Sequence, residues 1–213
     1  FRVVAFDQRG YSPGARPTGV DQYALDLLVD DVFAVADAVG FDDFHLIGHD
    51  WGSIVGWTAT SRDSARVLSW ASLAIPHPGA IPDPDAPQST PGYVRVFRQP
   101  GLAEALFGAG GRWLLQNLMY STMPAAHAAE YDAIYAEPGA LTAALNWYRA
   151  LDPASGGPDD AGPIQQPVLY VYGRNDIEAY VNEDVQSRMP AFVEGPFETA
   201  GLDAGHWLIQ DEE

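Results

Sequence analysis

An aspartate at the centre of a glycine-flanked turn is the most promising chemical group in the sequence. The segment Gly48-His49-Asp50-Trp51-Gly52 follows a short apolar run and precedes a helical pattern. Small residues two positions before and after Asp50 allow a sharp strand-to-helix turn that exposes the central side chain, as a nucleophile requires. The start of the following helix also favours an ionised carboxylate. Asp50 is therefore a candidate nucleophile, and the alternative is an ordinary helix-capping aspartate.

Two later residues could complete a nucleophilic site. Asp176 follows the apolar segment 167–173, at the end of a strand where α/β sheets place functional groups. His206 lies further along, in Gly205-His206-Trp207. Each residue alone could be structural, Asp176 in a turn and His206 in a loop. The order nucleophile, acid, histidine is that of an α/β-hydrolase triad, so Asp50, Asp176 and His206 together predict one.

A carboxylate nucleophile narrows the chemistry. Attack by Asp50 on carbon forms an ester with the enzyme, which water must then hydrolyse. A histidine held by a carboxylate is a suitable general base for that water. Such an ester suits a leaving group on sp³ carbon, as in epoxides or alkyl halides. An opening epoxide needs a proton donor such as a tyrosine hydroxyl, whereas a departing halide needs N–H donors such as tryptophan indoles.

The elements that would position these residues form an α/β pattern. One helix is predicted from Asp21, which can cap it, to Gly40, a residue type that favours helix C-termini. A second helix is predicted to start at Ser53. Buried strands that alternate with helices indicate a parallel sheet. The predicted strands, of which the last has the weakest signal, are residues 1–6, 44–47, 67–75, 167–173 and 196–202.

A helical block interrupts this α/β core. Residues 79–92 are rich in proline, and 93–150 have helical patterns without a strand signal. Helices are predicted at 94–107, 111–119 and 141–151, and a Gly/Pro/Asp linker at 152–163. We therefore expect an α/β core in two parts, 1–79 and 164–213, with a helical cap inserted at 80–163.

The composition excludes several kinds of protein. The 213 residues include 11 basic ones, all of them Arg, and 29 acidic ones, which gives a net charge of −18. This charge repels phosphate backbones and anionic membranes, so neither nucleic acid nor a membrane is an expected partner. The absence of Cys excludes disulfides, thiolate metal sites and Cys nucleophiles. No apolar run approaches the roughly 20 residues that span a bilayer, and the composition predicts a soluble cytoplasmic protein.

Several motifs resemble those of the epoxide-hydrolase branch of the α/β-hydrolase fold, and they span nearly the whole chain. They are Asp7-Gln8-Arg9-Gly10, Gly48-His49-Asp50-Trp51-Gly52, Tyr93…Phe97…Pro100-Gly101…Glu104, Asn146-Trp147-Tyr148-Arg149 and Gly205-His206-Trp207. The resemblance implies an α/β-hydrolase fold, which is a mostly parallel sheet flanked by helices, with an inserted helical cap. It also implies a hydrolase that converts an epoxide to a vicinal diol.

By motif position, the resemblance gives each candidate residue a role. The implied catalytic residues are Asp50 as nucleophile, Asp176 as acid, His206 as base, and the cap tyrosines Tyr93 and Tyr148, which hold the epoxide oxygen and donate a proton to it. The backbone N–H of Trp51 is the implied oxyanion donor, and Trp51 and Trp147 are candidate substrate-binding residues. No metal or organic cofactor is implied. The implied partners are water and a hydrophobic epoxide.

Two other functions stay open. The elbow is also similar to that of haloalkane dehalogenases. A haloalkane or haloacid dehalogenase would use the same triad, with the indole of Trp51 binding halide. Trp113 and Trp147 are the cap tryptophans, and neither has a sequence context typical of halide binding. A catalytically silent relative would instead bind a small hydrophobic ligand. A serine esterase is disfavoured, because Asp50 occupies the elbow and Ser53 falls inside the helix.

One feature of the epoxide-hydrolase family is absent from the sequence. The His-Gly-x-Pro loop, which supplies that family's other oxyanion donor, does not occur. In that fold, the strand before this loop lies between the strands at 1–6 and 44–47. Without it, two central strands would leave backbone groups unpaired. We therefore expect the natural protein to be longer at both ends.

Overall fold

A computed structural model describes residues 1–81, 92–108, 114, 116–117, 124–150 and 163–211. The predicted linker at 152–163 lies outside the described residues except for its last position, and so does most of the predicted helix at 111–119, including Trp113. Two compact units account for the chain. One unit consists of residues 1–31 and 91–151, and the other of 32–90 and 152–213.

The second unit contains a four-stranded parallel sheet, which confirms the predicted α/β class. Its strands lie side by side in chain order, and Trp70 pairs with Leu46 on one side and Val168 on the other. Parallel strands bring their carboxyl ends to one edge of a sheet, where functional groups collect. The strands are β1 (Phe44–His49), β2 (Val67–Leu73), β3 (Val168–Gly173) and β4 (Phe197–Leu202).

Helices follow the strands in the second unit and dominate the described part of the first. The helix that ends before Gly40 agrees with the prediction, since Gly40 has a φ of +75° and Phe41 N–H donates to Ala36 O at 2.9 Å. The helices are α1 (Leu25–Ala38), α2 (Trp51–Arg62), α3 (Gly92–Phe97), α4 (Leu102–Phe107), α5 (Ala125–Ala136), α6 (Ala140–Ala150), α7 (Glu178–Val181), α8 (Glu183–Arg188) and α9 (Leu208–Asp211). Short 3₁₀ helices occupy Val20–Tyr23, Pro78–Ala80 and Met189–Phe192.

Two tryptophans form the centre of the core in the second unit. The rings of Trp57 on α2 and Trp70 on β2 meet edge to face at 5.7 Å, and both side chains are buried. Helix α2 lies so close to the sheet that a Cβ at Gly56 would be 2.0 Å from the Trp70 ring. The core therefore fixes α2, the helix that starts at the elbow, against the strands beside it.

Two predicted elements differ from the structure. Residues 1–6 form no strand, and Phe1 and Val3 are exposed, because a strand needs a neighbouring ladder and these residues pair with no strand of the sheet. The helix predicted over 94–107 is two helices, α3 and α4. The break lies at Pro100-Gly101, where proline lacks an N–H and Gly101 has a φ of +79°.

In the first unit, the segment Asp7–Gly10 contacts helix α6. The indole of Trp147 donates to Arg9 O at 2.8 Å, and Gly10, whose φ is +93°, lies against Tyr23. Arg9 itself pairs with both carboxylate oxygens of Asp31 at 2.7 and 2.8 Å. Each element of regular structure described between Gly92 and Ala150 is a helix, while the limits of the predicted cap stay a prediction. Among the described helices, none has the length and apolarity needed to cross a bilayer.

Candidate active site

The turn between β1 and α2 holds Asp50 in a backbone conformation that few L residues adopt. Its φ and ψ are +53° and −117°. A Cβ at Gly48 would lie 2.3 Å from Gly52 O, so the turn closes only with glycine at position 48. The hydroxyl of Ser53 is buried, 2.7 Å from Gly48 O and 2.9 Å from Leu73 O. Ser53 therefore braces the turn, and its burial argues against an esterase nucleophile.

His206 lies between two carboxylates in the second unit. Its Nε2 is 3.0 Å from Asp50 Oδ2, and its Nδ1 is 3.0 Å from Asp176 Oδ2. The Asp176 side chain is only 1% exposed, whereas the Asp50 side chain is 34% exposed. Asp176 also accepts a hydrogen bond from Ile177 N at 2.6 Å. The structure thus brings together the three residues of the predicted triad, with the candidate nucleophile partly exposed and the orienting carboxylate enclosed.

The two carboxylates set the charge state of this group. Burial alone would lower the pKa of His206, but hydrogen bonds and attraction from Asp176 and Asp50 raise it to about 10. Burial would raise the pKa of Asp50, yet the hydrogen bond and charge of His206 hold that pKa below its ordinary value. At neutral pH the site therefore contains an ionised Asp50 next to an imidazolium.

His49 and Tyr180 also belong to this site, and the sequence pattern did not single them out. The Nε2 of His49 is 2.8 Å from His206 O, and a carbonyl only accepts, so this nitrogen carries the proton. Burial lowers the pKa of His49, which keeps the ring neutral beside the imidazolium. Burial and the charges of Asp50 and Asp176 raise the pKa of Tyr180 to about 12. Adjacency to Asp50 is a sequence signal for His49, while Tyr180 has none.

Tyr93 and Tyr148 lie together in the first unit. Their rings are 6.4 Å apart at an interplanar angle of 80°. Phe97 packs against both, with ring separations of 5.3 Å to Tyr93 and 4.9 Å to Tyr148. Two phenols predicted from separate motifs are therefore neighbours, as a pair of donors to one oxygen must be.

The two tryptophans of the sequence-based prediction have different surroundings. Trp51 is the first residue of α2, and its backbone N–H contributes to lowering the pKa of Asp50. Trp147 is 1% exposed, and its indole donates to Arg9 O. Trp147 is thus buried and hydrogen-bonded within the first unit, and substrate binding by this residue stays a prediction. Within the described part of the chain, no three His, Asp or Glu side chains converge as metal ligands would.

Comparison with known proteins gives this geometry a family context. The sequence model of a family described as alpha/beta hydrolase fold matches residues 1–213. The AB hydrolase superfamily protein YfhM of Bacillus subtilis is 34% identical over 162 residues, which are 71% of this chain and 56% of the relative. Human epoxide hydrolase 4 is 27% identical over 227 residues, which cover 100% of this chain and 62% of the relative.

Solved structures share the fold of this chain. The crystal structure of epoxide hydrolase A from Mycobacterium thermoresistibile superposes with a TM-score of 0.79 at 24% identity, covering 95% of this chain and 76% of that one. At this identity the likeness concerns the fold. The chain spans only 56% and 62% of the two curated relatives, so the activity of the whole protein is a matter for experiment.

Proposed function

The chain belongs to the α/β-hydrolase fold family, in agreement with the fold predicted from its motifs, and we propose that it is an epoxide hydrolase. The substrate would be a hydrophobic epoxide, the product a vicinal diol and the intermediate an ester of Asp50. The observation that carries the proposal is the bridge of His206 between Asp50 and Asp176. The motif resemblance and the similarity to human epoxide hydrolase 4 support it.

The first step is ring opening. The ionised carboxylate of Asp50 attacks one ring carbon, a C–O bond forms, and the bond between that carbon and the epoxide oxygen breaks. The departing oxygen becomes an alkoxide and takes a proton from the phenol of Tyr93 or Tyr148. The strained turn presents Asp50, and the low pKa of this residue keeps the nucleophile ionised.

The second step needs His206 as a base, and ester formation itself supplies that base. The charge of Asp50 helps to hold the pKa of His206 at about 10, so esterification removes this charge and lowers the imidazole pKa. The imidazolium then releases a proton, which replaces the one that the phenol gave to the alkoxide. The imidazole of His206 is therefore neutral and able to accept a proton when water reaches the ester.

Ester hydrolysis completes the cycle. His206 takes a proton from water, and the hydroxide equivalent attacks the ester carbonyl of Asp50. The backbone N–H of Trp51 would stabilise the resulting oxyanion. Collapse of the intermediate expels the diol oxygen, which takes the proton from His206 and leaves Asp50 as a carboxylic acid. Asp50 then passes its proton to His206, which restores the carboxylate and the imidazolium of the resting site. Epoxide plus water therefore gives diol, with no cofactor consumed.

The test is the intact mass of the full-length protein with His206→Gln after incubation with an epoxide. Without the base, the ester should accumulate as an adduct of the whole epoxide mass on Asp50, and Tyr148→Phe should slow its formation. An adduct lighter by hydrogen halide, seen only with haloalkanes, would instead indicate a dehalogenase. Absence of any adduct across a panel of both substrates would contradict the proposal and favour a silent ligand-binding relative.

Two control variants make this experiment specific. Asp50→Asn in the same His206→Gln background should give no adduct, since the amide is a poor nucleophile. His45→Gln, at an exposed histidine on β1, should turn over the epoxide like the unmodified protein. An adduct that persists in the Asp50→Asn variant would place the reactive group elsewhere.

A further inference from the structure

Two charged residues of the sequence motifs have no part in the chemistry above, yet they form a forked ion pair in the first unit. Arg149 Nη1 lies 2.9 Å from Glu104 Oε1, and Nη2 lies 2.9 Å from Glu104 Oε2. The Arg149 side chain is 6% exposed. This forked, enclosed geometry distinguishes the pair from ordinary surface ion pairs, which contribute little.

Further hydrogen bonds make the pair a junction between α4 and α6. Glu104 Oε2 accepts from Gly101 N at 2.8 Å, at the start of its own helix, and Thr142 Oγ1 donates to Glu104 Oε1 at 3.3 Å. Arg149 Nη1 also donates to Asn146 Oδ1 at 3.1 Å. Burial would raise the pKa of Glu104, but hydrogen bonds from Arg149 and from the backbone, together with the charge of Arg149, lower that pKa below its ordinary value. The pair stays charged at neutral pH.

Tyr148 lies on α6 itself, and Tyr93 lies on α3, whose Phe97 packs against Tyr148. Tyr148 immediately precedes Arg149 on α6, and its carbonyl accepts from Arg98 Nε at 3.1 Å. Phe97 on α3 lies between the rings of Tyr148 and of Phe107 on α4, at 4.9 and 5.2 Å. The position of α4 against α6 therefore sets where Phe97, and with it α3, lies against Tyr148.

We propose that the Glu104–Arg149 ion pair is a positioning element that fixes the separation of the Tyr93 and Tyr148 phenols for ring opening. The inference rests on the proposed function, in which both phenols meet one epoxide oxygen. Two donors that share an acceptor tolerate little displacement, and an error of about 1 Å can cost about 100-fold in rate. Neither Glu104 nor Arg149 touches substrate in this role.

The test separates the two chemical steps in single-turnover experiments on the full-length protein. Glu104→Gln keeps the size of the side chain but removes the charge, and Arg149→Lys keeps the charge but removes the fork. Both variants should slow ester formation from an epoxide by about tenfold or more, while hydrolysis of the ester once formed should change less than about twofold. First-order rate constants report only on folded molecules, so partial unfolding of a variant does not obscure the result.

A double-mutant cycle with Tyr148→Phe decides whether the pair acts through the phenols. In the Tyr148→Phe background, Glu104→Gln should have little further effect on ester formation. Independent, additive losses, or equal slowing of both steps, would overturn the inference and leave the pair a general stabiliser. Glu137→Gln is the matched control, because it breaks the Arg16–Glu137 ion pair of the same unit and should alter neither step.

The design keeps this inference distinct from the proposed function. If the unmodified protein forms no ester with any epoxide, the proposed function fails. If it forms the ester and the Glu104 and Arg149 variants form it equally fast, only the positioning role fails.

Discussion

His206 experiences two opposing effects, and the hydrogen bonds and charges of its two carboxylate neighbours together outweigh its burial. The imidazole is 20% exposed and touches both Asp50 and Asp176. The two carboxylates stabilise the protonated form, which is why the pKa of His206 rises from 6.5 to about 10. The raised pKa links this residue to the stability of the fold as well as to the reaction.

The stability of the protein should therefore fall as pH rises through the alkaline range. The contribution of His206 is fully present below its unfolded pKa of 6.5 and is lost as pH approaches the folded value of about 10. The loss should be on the order of a few kcal/mol in the free energy of unfolding. Urea titrations at pH 7, 8 and 9.5 measure it, with His206→Gln as reference. Parallel pH profiles for the two proteins would contradict the prediction.

A second residue-scale prediction concerns His49, which joins the elbow to the base. Its Nε2–H donates to His206 O at 2.8 Å. His49→Phe keeps a ring but loses the donor, so ester hydrolysis should slow by about 2- to 10-fold, the value of one hydrogen bond. Ester formation, which uses Asp50 and the cap phenols but not the base, should keep its rate in stopped-flow measurements. His49→Gln retains an N–H donor and should recover most of the loss, whereas no recovery would mean that the hydrogen bond is irrelevant.

At the scale of elements, the β1–α2 turn depends on the absence of a side chain at Gly48. A Cβ there would lie 2.3 Å from Gly52 O and 2.9 Å from the Trp70 ring. Gly48→Ala should thus destabilise the protein by more than about 2 kcal/mol and lower its thermal midpoint. Gly14→Ala is the matched control, since a Cβ at Gly14 meets nothing within 4 Å. Equal midpoints for the two variants would show that the turn adapts.

The elements show which parts of the architecture local sequence determines. Apolar runs predicted β1, β2 and β3, the weak pattern near residue 197 became β4, and Gly40 marked the end of α1. These features depend on periodicity and backbone preference, which neighbouring residues in the chain encode. Residues 1–6 have the same apolar pattern but no ladder to join, because strand formation needs partners from elsewhere in the fold.

The candidate site likewise contains residues that local sequence predicted and contacts that it did not. Asp50, Asp176 and His206 stand at the ends of predicted elements, so their order along the chain predicted their meeting. The contact of His49 with His206 O joins residues that are 157 positions apart, and no local pattern reports it. The pairing of Glu104 with Arg149 likewise depends on how α4 packs against α6.

At the scale of the whole molecule, the large negative net charge should affect the stability of the fold. Eleven basic residues against 29 acidic ones leave a net charge of −18, and all the basic residues are Arg. Several of these arginines are already committed to single carboxylates, including Arg9 with Asp31 and Arg66 with Asp37. The remaining acidic excess repels itself in the folded state, because folding brings these charges closer together.

Added salt should therefore stabilise this protein. Screening shortens the reach of charge repulsion from about 30 Å at 0.01 M ionic strength to about 3 Å at 1 M. The thermal midpoint should rise by about 2–4 °C between 0.01 and 0.5 M sodium chloride, which corresponds to about 1 kcal/mol in a chain of this size. Potassium chloride should act equally, since screening depends on ionic strength. A midpoint that falls with salt would mean that the Arg–carboxylate pairs outweigh the repulsion, and a rise with one salt alone would indicate a specific ion.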